Sequence, residues 1–217
     1  MMRNRFDRQL EELNNGLIHM GSLIEQAIEA AVDGLVMQNT DRAKKAMEYE
    51  EEINHAEREI EALCLKLLLQ QQPVASDLRQ ISAALKMITD MERIGDHAND
   101  IAELTLFLTK QPHQINMGHM KQMAKETIVM VIQSLEAYVN KDMEKAKAVI
   151  VMDDVVDDLF LTVKQDILKI LRENIEYGEQ AEDLLMAAKY FERIGDHATN
   201  IAEWVIFSIT GCHVDDE

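Results

Sequence analysis

The chain has 217 residues, with 40 acidic and 22 basic side chains and a formal net charge of −18. Hydrophobic residues make up 47% of it, which is enough for a packed core and excludes an intrinsically disordered protein. So acidic a surface repels nucleic-acid phosphates and anionic lipid headgroups, and it favours cations and basic protein surfaces. We therefore expect no nucleic acid among the partners.

The composition predicts an all-α protein. Two prolines and eight glycines leave few places to turn, and the dominant Leu, Ala, Met, Glu and Lys favour helices. Ser76 is the predicted N-cap of the third helix, and Gly178 is expected to end the turn before the sixth. Six helices follow: about 3–37, from after Asp41 to before Pro73, from Ser76 to about Thr109, and about 117–139, 142–173 and 179–209.

The two halves of the chain are copies of one unit. Residues 92–107 and 192–207 are identical at eleven of sixteen positions, at an offset of 100 residues. Upstream positions such as Ala43 and Ile53 match Ala146 and Val156 at an offset of 103. An internal duplication is the simplest explanation. It predicts two tandem three-helix bundles, with domains at 1–110 and 115–217.

Apolar residues recur at alternating spacings of three and four on the third and sixth helices, which is typical of a helical-bundle core. The predicted core positions are Met87, Met91, Ile94, Ala98, Ile101, Thr105 and Leu108, and then Ala187, Phe191, Ile194, Ala198, Ile201 and Val205. No uncharged stretch approaches the roughly 18 residues of a membrane span, and the N-terminus does not resemble a signal peptide. We expect no direct membrane insertion and a cytoplasmic location.

Carboxylates line the opposite side of the same helices and are expected to point away from the bundle interior. They are Glu92, Asp96, Asp100 and Glu103 in the first copy, and Glu192, Asp196 and Glu203 in the second, where the amide of Asn200 stands at the position of Asp100. The preceding helices offer Glu50, Glu51, Asn54 and Glu57 in one half and Asp153, Asp154, Asp157 and Asp158 in the other. Acid pairs spaced i,i+4 on two neighbouring helices can supply several oxygen ligands to one cation.

Two interpretations of these stripes stay open. The first is a solvated face, with Arg93–Asp96 and Arg193–Asp196 as exposed ion pairs. The second is a metal site whose candidate ligands are Glu50, Asn54, Glu92, Asp96, Asp100, Asp153, Asp157, Glu192, Asp196 and Asn200. His97 and His197 are expected to bond a neighbouring carboxylate rather than a metal. Gly95 and Gly195, which face away from the stripe, are expected to permit close helix packing.

No catalytic motif is found. The chain has no glycine-rich phosphate loop, no H-E-x-x-H and no nucleophile elbow. Its single Glu-x-x-His string, Glu52 to His55, has no counterpart in the second half, whereas di-iron carboxylate oxidases need this motif on two helices. We therefore expect a protein that is not an enzyme.

With these residues laid out, the chain resembles the PhoU family over essentially its whole length. The resemblance rests on the doubled Glu-Arg-Ile-Gly-Asp box, on residues 72–79 before the third helix, and on paired acidic i,i+4 motifs. These motifs are Glu92/Asp96, Asp153/Asp157 and Glu192/Asp196. The fourth departs from the pattern because Asn54 follows Glu50.

The resemblance implies two three-helix bundles with metal sites on their surfaces, holding iron, zinc, manganese or magnesium. It also implies a negative regulator that links the ATPase subunit of the high-affinity phosphate ABC transporter to the phosphate-sensing histidine kinase. It leaves open whether the chain forms a homodimer. The rival functions are a metal-storage or carboxylate metalloenzyme bundle and an accessory of a low-affinity phosphate permease.

Overall fold

The computed structural model describes residues 2–70, 74–108 and 117–213, and within these ranges it contains helices and no strand. A short 3₁₀ turn, Ile175–Tyr177, precedes the last helix. The helices are α1 Met2–Met37, α2 Thr40–Gln70, α3 Ala75–Leu108, α4 Gly118–Asn140, α5 Met143–Glu173 and α6 Gly178–Thr210. The all-α class and the six helices are therefore confirmed. The break expected around Pro112 lies outside the described residues.

Two predicted helix ends are wrong by a residue or two. Ser76 lies inside the first turn of α3, because the helix begins at Ala75 and the Val74 carbonyl already accepts the Leu78 amide at 2.9 Å. Gly178 ends the preceding 3₁₀ turn as its C-cap, as predicted, but it is itself helical (φ −55°, ψ −49°), so α6 begins one residue earlier than expected. At α5, in contrast, Asp142 is a regular N-cap whose side chain accepts the Lys145 amide at 3.0 Å.

The core follows the predicted apolar positions. Every predicted core residue of α3 and α6 is buried. Further buried residues widen the apolar surface of α3, among them Ile88, Gly95 and Ala102. This width is needed because α3 contacts α1, α2 and α6. The prediction that α3 has a narrow apolar seam with a solvent-exposed face opposite it was therefore too simple.

The two three-helix bundles share one continuous core. α1, α2 and α3 contact one another, as do α4, α5 and α6, and the two sets meet where α3 contacts α6 and α1 contacts α4. The Tyr138 hydroxyl on α4 donates to the Gln80 carbonyl on α3 at 2.9 Å. Each half therefore covers apolar side chains that the other half would otherwise expose to solvent.

α3 and α6 run antiparallel. Lys86 near the start of α3 lies over the Trp204 ring near the end of α6, 5.9 Å from its centroid. At the middle of the interface the equivalent rings of His97 and His197 meet, with centroids 5.6 Å apart. The duplicated helices therefore cross at their matching positions, which places the two histidines side by side. Among the described residues, none of the helices contains the long apolar run, nearly free of charged side chains, that a membrane span requires.

Candidate metal centre

The second half brings four acidic side chains together between α5 and α6. Asp153 and Asp157 lie one turn apart on α5, and Glu192 and Asp196 one turn apart on α6. The charges of Asp196, Asp157 and Glu192 all act on Asp153, in that order of size. The Glu192 and Asp196 pair therefore faces the Asp153 and Asp157 pair, as the matching i,i+4 spacing predicted.

Asp153 has the most strongly raised pKa of these four carboxyl groups. Burial, and then repulsion by Asp196, Asp157 and Glu192, raise the pKa of its carboxyl to about 6. The pKa values of Asp157 and Asp196 are also raised, chiefly by burial and then by the charge of Glu192. Asp153 is partly buried, and the carboxylates of the group repel one another, so a bound cation would relieve both costs.

One basic residue already lies beside the group. The Lys189 ammonium binds the Glu192 carboxylate from the preceding turn of α6, and its charge lowers the pKa values of Asp157 and Asp196. The side chain of Glu192 is only 14% exposed. A freely solvated face is thus the wrong description for this carboxylate, because it lies in the crevice between two packed helices.

Gly195 explains how α5 can come so near. A Cβ at this position would lie 3.0 Å from Asp153 Oδ1 and 3.4 Å from Val156 Cγ1. The glycine therefore permits close helix packing, as predicted, but it does not face away from the acidic group. The backbone of Gly195 instead packs against the Asp153 side chain.

The first half repeats this arrangement with different chemistry. The pKa of Glu92 is raised by burial, by Asp96 on its own helix, and by Glu57 and Glu50 across the contact with α2. Glu92 thus faces Glu50, as predicted. Asn54 lies one turn after Glu50 and donates its side-chain amide to the Glu50 carboxylate. The first half therefore has a hydrogen bond between Asn54 and Glu50 where the second half has the repulsive charge of Asp157.

Glu57 belongs with this group, although the predicted ligand set omits it. It lies one heptad after Glu50, so the two side chains share one face of α2. The pKa of Glu57 is raised, chiefly by burial. The spacing of seven residues was the signal in the sequence.

On α3, Asp96 of the same acidic group binds Arg93 at 2.9 Å, which is the ion pair expected from the solvated-face interpretation.

Asp100 and Asn200 do not join the acidic groups. Asp100 lies 3.3 Å from His97 Nδ1, and Asn200 donates to Asp90 on α3 at 3.1 Å. His197 Nδ1 is 2.9 Å from the same Asp90 carboxylate. Both predicted ligands therefore point into the interface between α3 and α6. The expectation that each histidine bonds a carboxylate is confirmed, but the partner of His197 comes from the other half.

Carboxylate and amide oxygens suit hard or borderline cations. In the described part of the chain, no three His, Cys, Asp or Glu side chains already converge as a metal would require. A cation between α5 and α6 would therefore require these carboxylates to rotate toward it. Their exposed edges leave room for this, because Asp157 and Asp196 both reach the surface.

Comparison with known proteins gives a consistent result. A family model described as the PhoU domain matches residues 17–105 and again 120–205. The chain is 37% identical over 216 residues to a phosphate-specific transport system accessory protein PhoU homolog of Clostridium acetobutylicum, covering 99% of both chains. It is 31% identical over 214 residues to the homolog of Pseudomonas aeruginosa, covering 97% of this chain and 87% of that protein.

Solved structures have the same architecture. The crystal structure of PhoU from Pseudomonas aeruginosa superposes with a TM-score of 0.90 at 31% identity, covering 95% of this chain and all of the other. The phosphate transport system regulatory protein PhoU from Streptococcus pneumoniae superposes with a TM-score of 0.88 at 26% identity, covering 97% and 99% of the two chains.

Proposed function

This chain belongs to the PhoU family, and on that premise we propose that it is a non-enzymatic regulator of phosphate uptake and of phosphate-starvation signalling. The observation that carries the proposal is the match along the whole chain to phosphate-specific transport system accessory proteins, at 37% identity over 99% of both sequences for the Clostridium acetobutylicum relative. A match of this extent includes both halves and the junction between them, rather than one shared motif.

In this proposal the protein restrains uptake and signalling by binding two partners in the cytoplasm. One is the ATPase subunit of the high-affinity phosphate ABC transporter, and the other is the histidine kinase that senses phosphate. The strongly acidic surface supports contact with basic protein surfaces, since long-range attraction speeds association.

The acidic groups of α2/α3 and α5/α6 are proposed as metal sites that stabilise or shape this contact surface. Glu50, Asn54, Glu92 and Asp96 would hold an ion in the first half, and Asp153, Asp157, Glu192 and Asp196 in the second. The raised pKa values of Asp153 and Glu92 support this assignment, because each reflects burial first and then repulsion by neighbouring carboxylates, and a bound cation would offset both. Iron, zinc, manganese and magnesium are all compatible with oxygen ligands.

The alternative of a carboxylate oxidase is less well supported. Such an enzyme requires inward-facing Glu-x-x-His motifs, whereas the His55 side chain is 73% exposed and binds Glu59 at 3.4 Å on the surface. We therefore propose that the carboxylates serve binding rather than catalysis.

The Glu192→Ala/Asp196→Ala variant tests the proposal. We expect weaker co-purification with the ATPase subunit or the kinase and a disturbed phosphate response in cells, with helicity retained, because the buried core of α6 is untouched. The matched control is Glu25→Ala/Glu29→Ala, an i,i+4 acidic pair on α1. Unchanged partner binding and an unchanged phosphate response in the Glu192/Asp196 variant would remove these residues from the regulatory surface.

A further inference from the structure

One side of α5 has no neighbour in the described part of the chain. α5 contacts α4, α6 and the 3₁₀ turn that follows it, and the side opposite its buried residues faces solvent. On that side Val151, Leu161 and Leu168 fall within an arc of about 100° around the helix axis. These residues are 67%, 52% and 44% exposed, and Val155 at the edge of the arc is 45% exposed. We call these four residues the outer face of α5; they present apolar side chains over about 26 Å of helix.

The corresponding side of α2 is charged. α2 is also an outer helix, since it contacts only α1 and α3 among the described elements. Three apolar residues of the outer face correspond, at the offset of 103 residues, to charged residues of α2: Val151 to Glu48, Val155 to Glu52, and Leu161 to Arg58. The first copy therefore folds with charged side chains at these positions, so folding of the repeated unit does not require the apolar residues of the second copy.

Charged residues beside the outer face follow an order along the helix. Asp154 and Asp158 lie in its first half and Lys169 and Arg172 near its end, and all four are exposed. Asp154 and Arg172 are spaced symmetrically about Val163, as are Asp158 and Lys169 to within one residue. Two such helices packed antiparallel about a twofold axis at this level would therefore bring each acidic residue opposite a basic residue of the other copy.

We propose that the outer face of α5 binds the outer face of a second copy of this chain, with the two helices antiparallel. In this arrangement the Leu161 side chains of the two copies lie about one helical turn apart and remove each other from water. A twofold contact is closed, so the product is a dimer rather than a filament. Asp153 and Asp157 point toward α6, and the pairing therefore does not depend on metal. It also does not depend on which proteins the regulator binds.

The order of the charges favours a second copy over an unrelated helix. A uniformly basic or uniformly acidic partner would match only one half of the outer face, whereas a second copy matches both halves by symmetry. The net charge of −18 opposes association at long range. At physiological ionic strength this repulsion is screened beyond about 8 Å, so the apolar contact and the ion pairs at the interface decide the outcome.

Sedimentation velocity of the full chain, between about 1 and 100 μM, tests the contact. The first variant, Val151→Glu/Leu161→Arg, installs the residues that α2 carries at the equivalent positions. The matched control is Ile18→Glu/Leu65→Arg, which makes the same changes at apolar residues of the first half that are 50% and 47% exposed. Circular dichroism checks that both variants keep their helices.

We expect wild type to show a monomer–dimer equilibrium in this range. The α5 variant should weaken it about tenfold or more, and the control should stay within about twofold of wild type. A wild type that remains monomeric at about 100 μM would overturn the proposal. So would equal losses in the α5 variant and the control, because the contact would then not be specific to α5.

A second experiment tests the antiparallel arrangement. Asp154→Arg and Arg172→Asp each place like charges opposite one another in a dimer of identical copies, so each variant alone should be monomeric. An equimolar mixture of the two variants restores both opposite-charge pairs, and it should sediment as a dimer. A mixture that stays monomeric, or single variants that dimerise as well as wild type, would contradict the proposed pairing of the two helices.

Discussion

Gly195 on α6 lies directly against Asp153 on α5, where a Cβ would come within 3.0 Å of the Asp153 Oδ1 atom. At the equivalent position of the first half, Gly95 meets two carbon atoms of Ile53, each 3.1 Å from the position of a Cβ. The same residue type therefore permits close packing in both copies, but it adjoins a carboxylate in only one of them.

This difference predicts that two matched substitutions affect different properties, metal binding in one half and stability in the other. Gly195→Ala should leave the melting temperature near wild type, because a partly exposed carboxylate can rotate and alanine favours the helix by about 1 kcal/mol. It should weaken metal binding, since Asp153 must move. Gly95→Ala should lower the free energy of unfolding by about 1 kcal/mol, because buried Ile53 cannot yield as easily. Thermal melts and metal titrations of both variants would check this, and a larger loss of metal binding in Gly95→Ala would contradict it.

A second prediction concerns the relative strength of the two metal sites. At the four i,i+4 positions that would hold an ion, the α5/α6 group has four carboxylates and the α2/α3 group has three, because Asn54 stands in one position and already bonds Glu50. Glu57 lies two turns from Glu50 and outside these four positions. Affinity for cations rises with ligand charge, so the second site should hold metal more tightly. The replacement of Asp100 by Asn200 does not oppose this, since both lie in the α3/α6 interface.

Calorimetric titration of Asp153→Asn and Asp96→Asn would measure that asymmetry. We expect Asp153→Asn to remove the tighter binding event and Asp96→Asn to affect the weaker one. Equal losses of affinity in the two variants would count against it.

Stability should depend on pH through Asp153. Its pKa is raised in the folded protein from an ordinary value of 3.8 to about 6, so between these values the folded state holds the proton more often than the unfolded state. The free energy of unfolding of chelator-treated protein should therefore fall as the pH rises from about 4 to 6. In Asp153→Asn this decrease should be smaller. Glu144→Gln, at a carboxylate with an 82% exposed side chain, serves as the control. An unchanged slope in Asp153→Asn would refute the assignment.

The contact between the two halves can be tested at Tyr138. Its side chain is buried, and its hydroxyl donates to the Gln80 carbonyl across the α3/α4 boundary at 2.9 Å. Tyr138→Phe should lower the free energy of unfolding by about 1 kcal/mol in urea denaturation, the usual effect of losing one such bond. Tyr49→Phe loses a bond to Gln26 near the surface and should change stability by less than about 0.5 kcal/mol. Equal effects would argue against a shared core.

Local spacing in the sequence was sufficient to predict several features correctly. The six helices and the buried positions of α3 and α6 follow from composition and from periodicity within single helices. The duplication follows from the repeated segments, and the facing of Glu192 and Asp196 toward Asp153 and Asp157 was predicted from their matching i,i+4 spacing. Spacings of three, four and seven residues set which side chains share a face whatever the rest of the fold does. Glu57 could have been included with Glu50 by the same rule.

Only the tertiary structure decided which neighbour each face meets. The apolar surface of α3 is wide enough to contact three helices, so periodicity alone could not reveal that α6 covers one part of it. That contact brings His97 beside His197 and turns Asn200 toward Asp90, away from the carboxylates of α5. Side-chain spacing sets angles around one helix axis, whereas the pairing of axes depends on how two broad apolar surfaces interlock, and that depends on residues far apart in the chain.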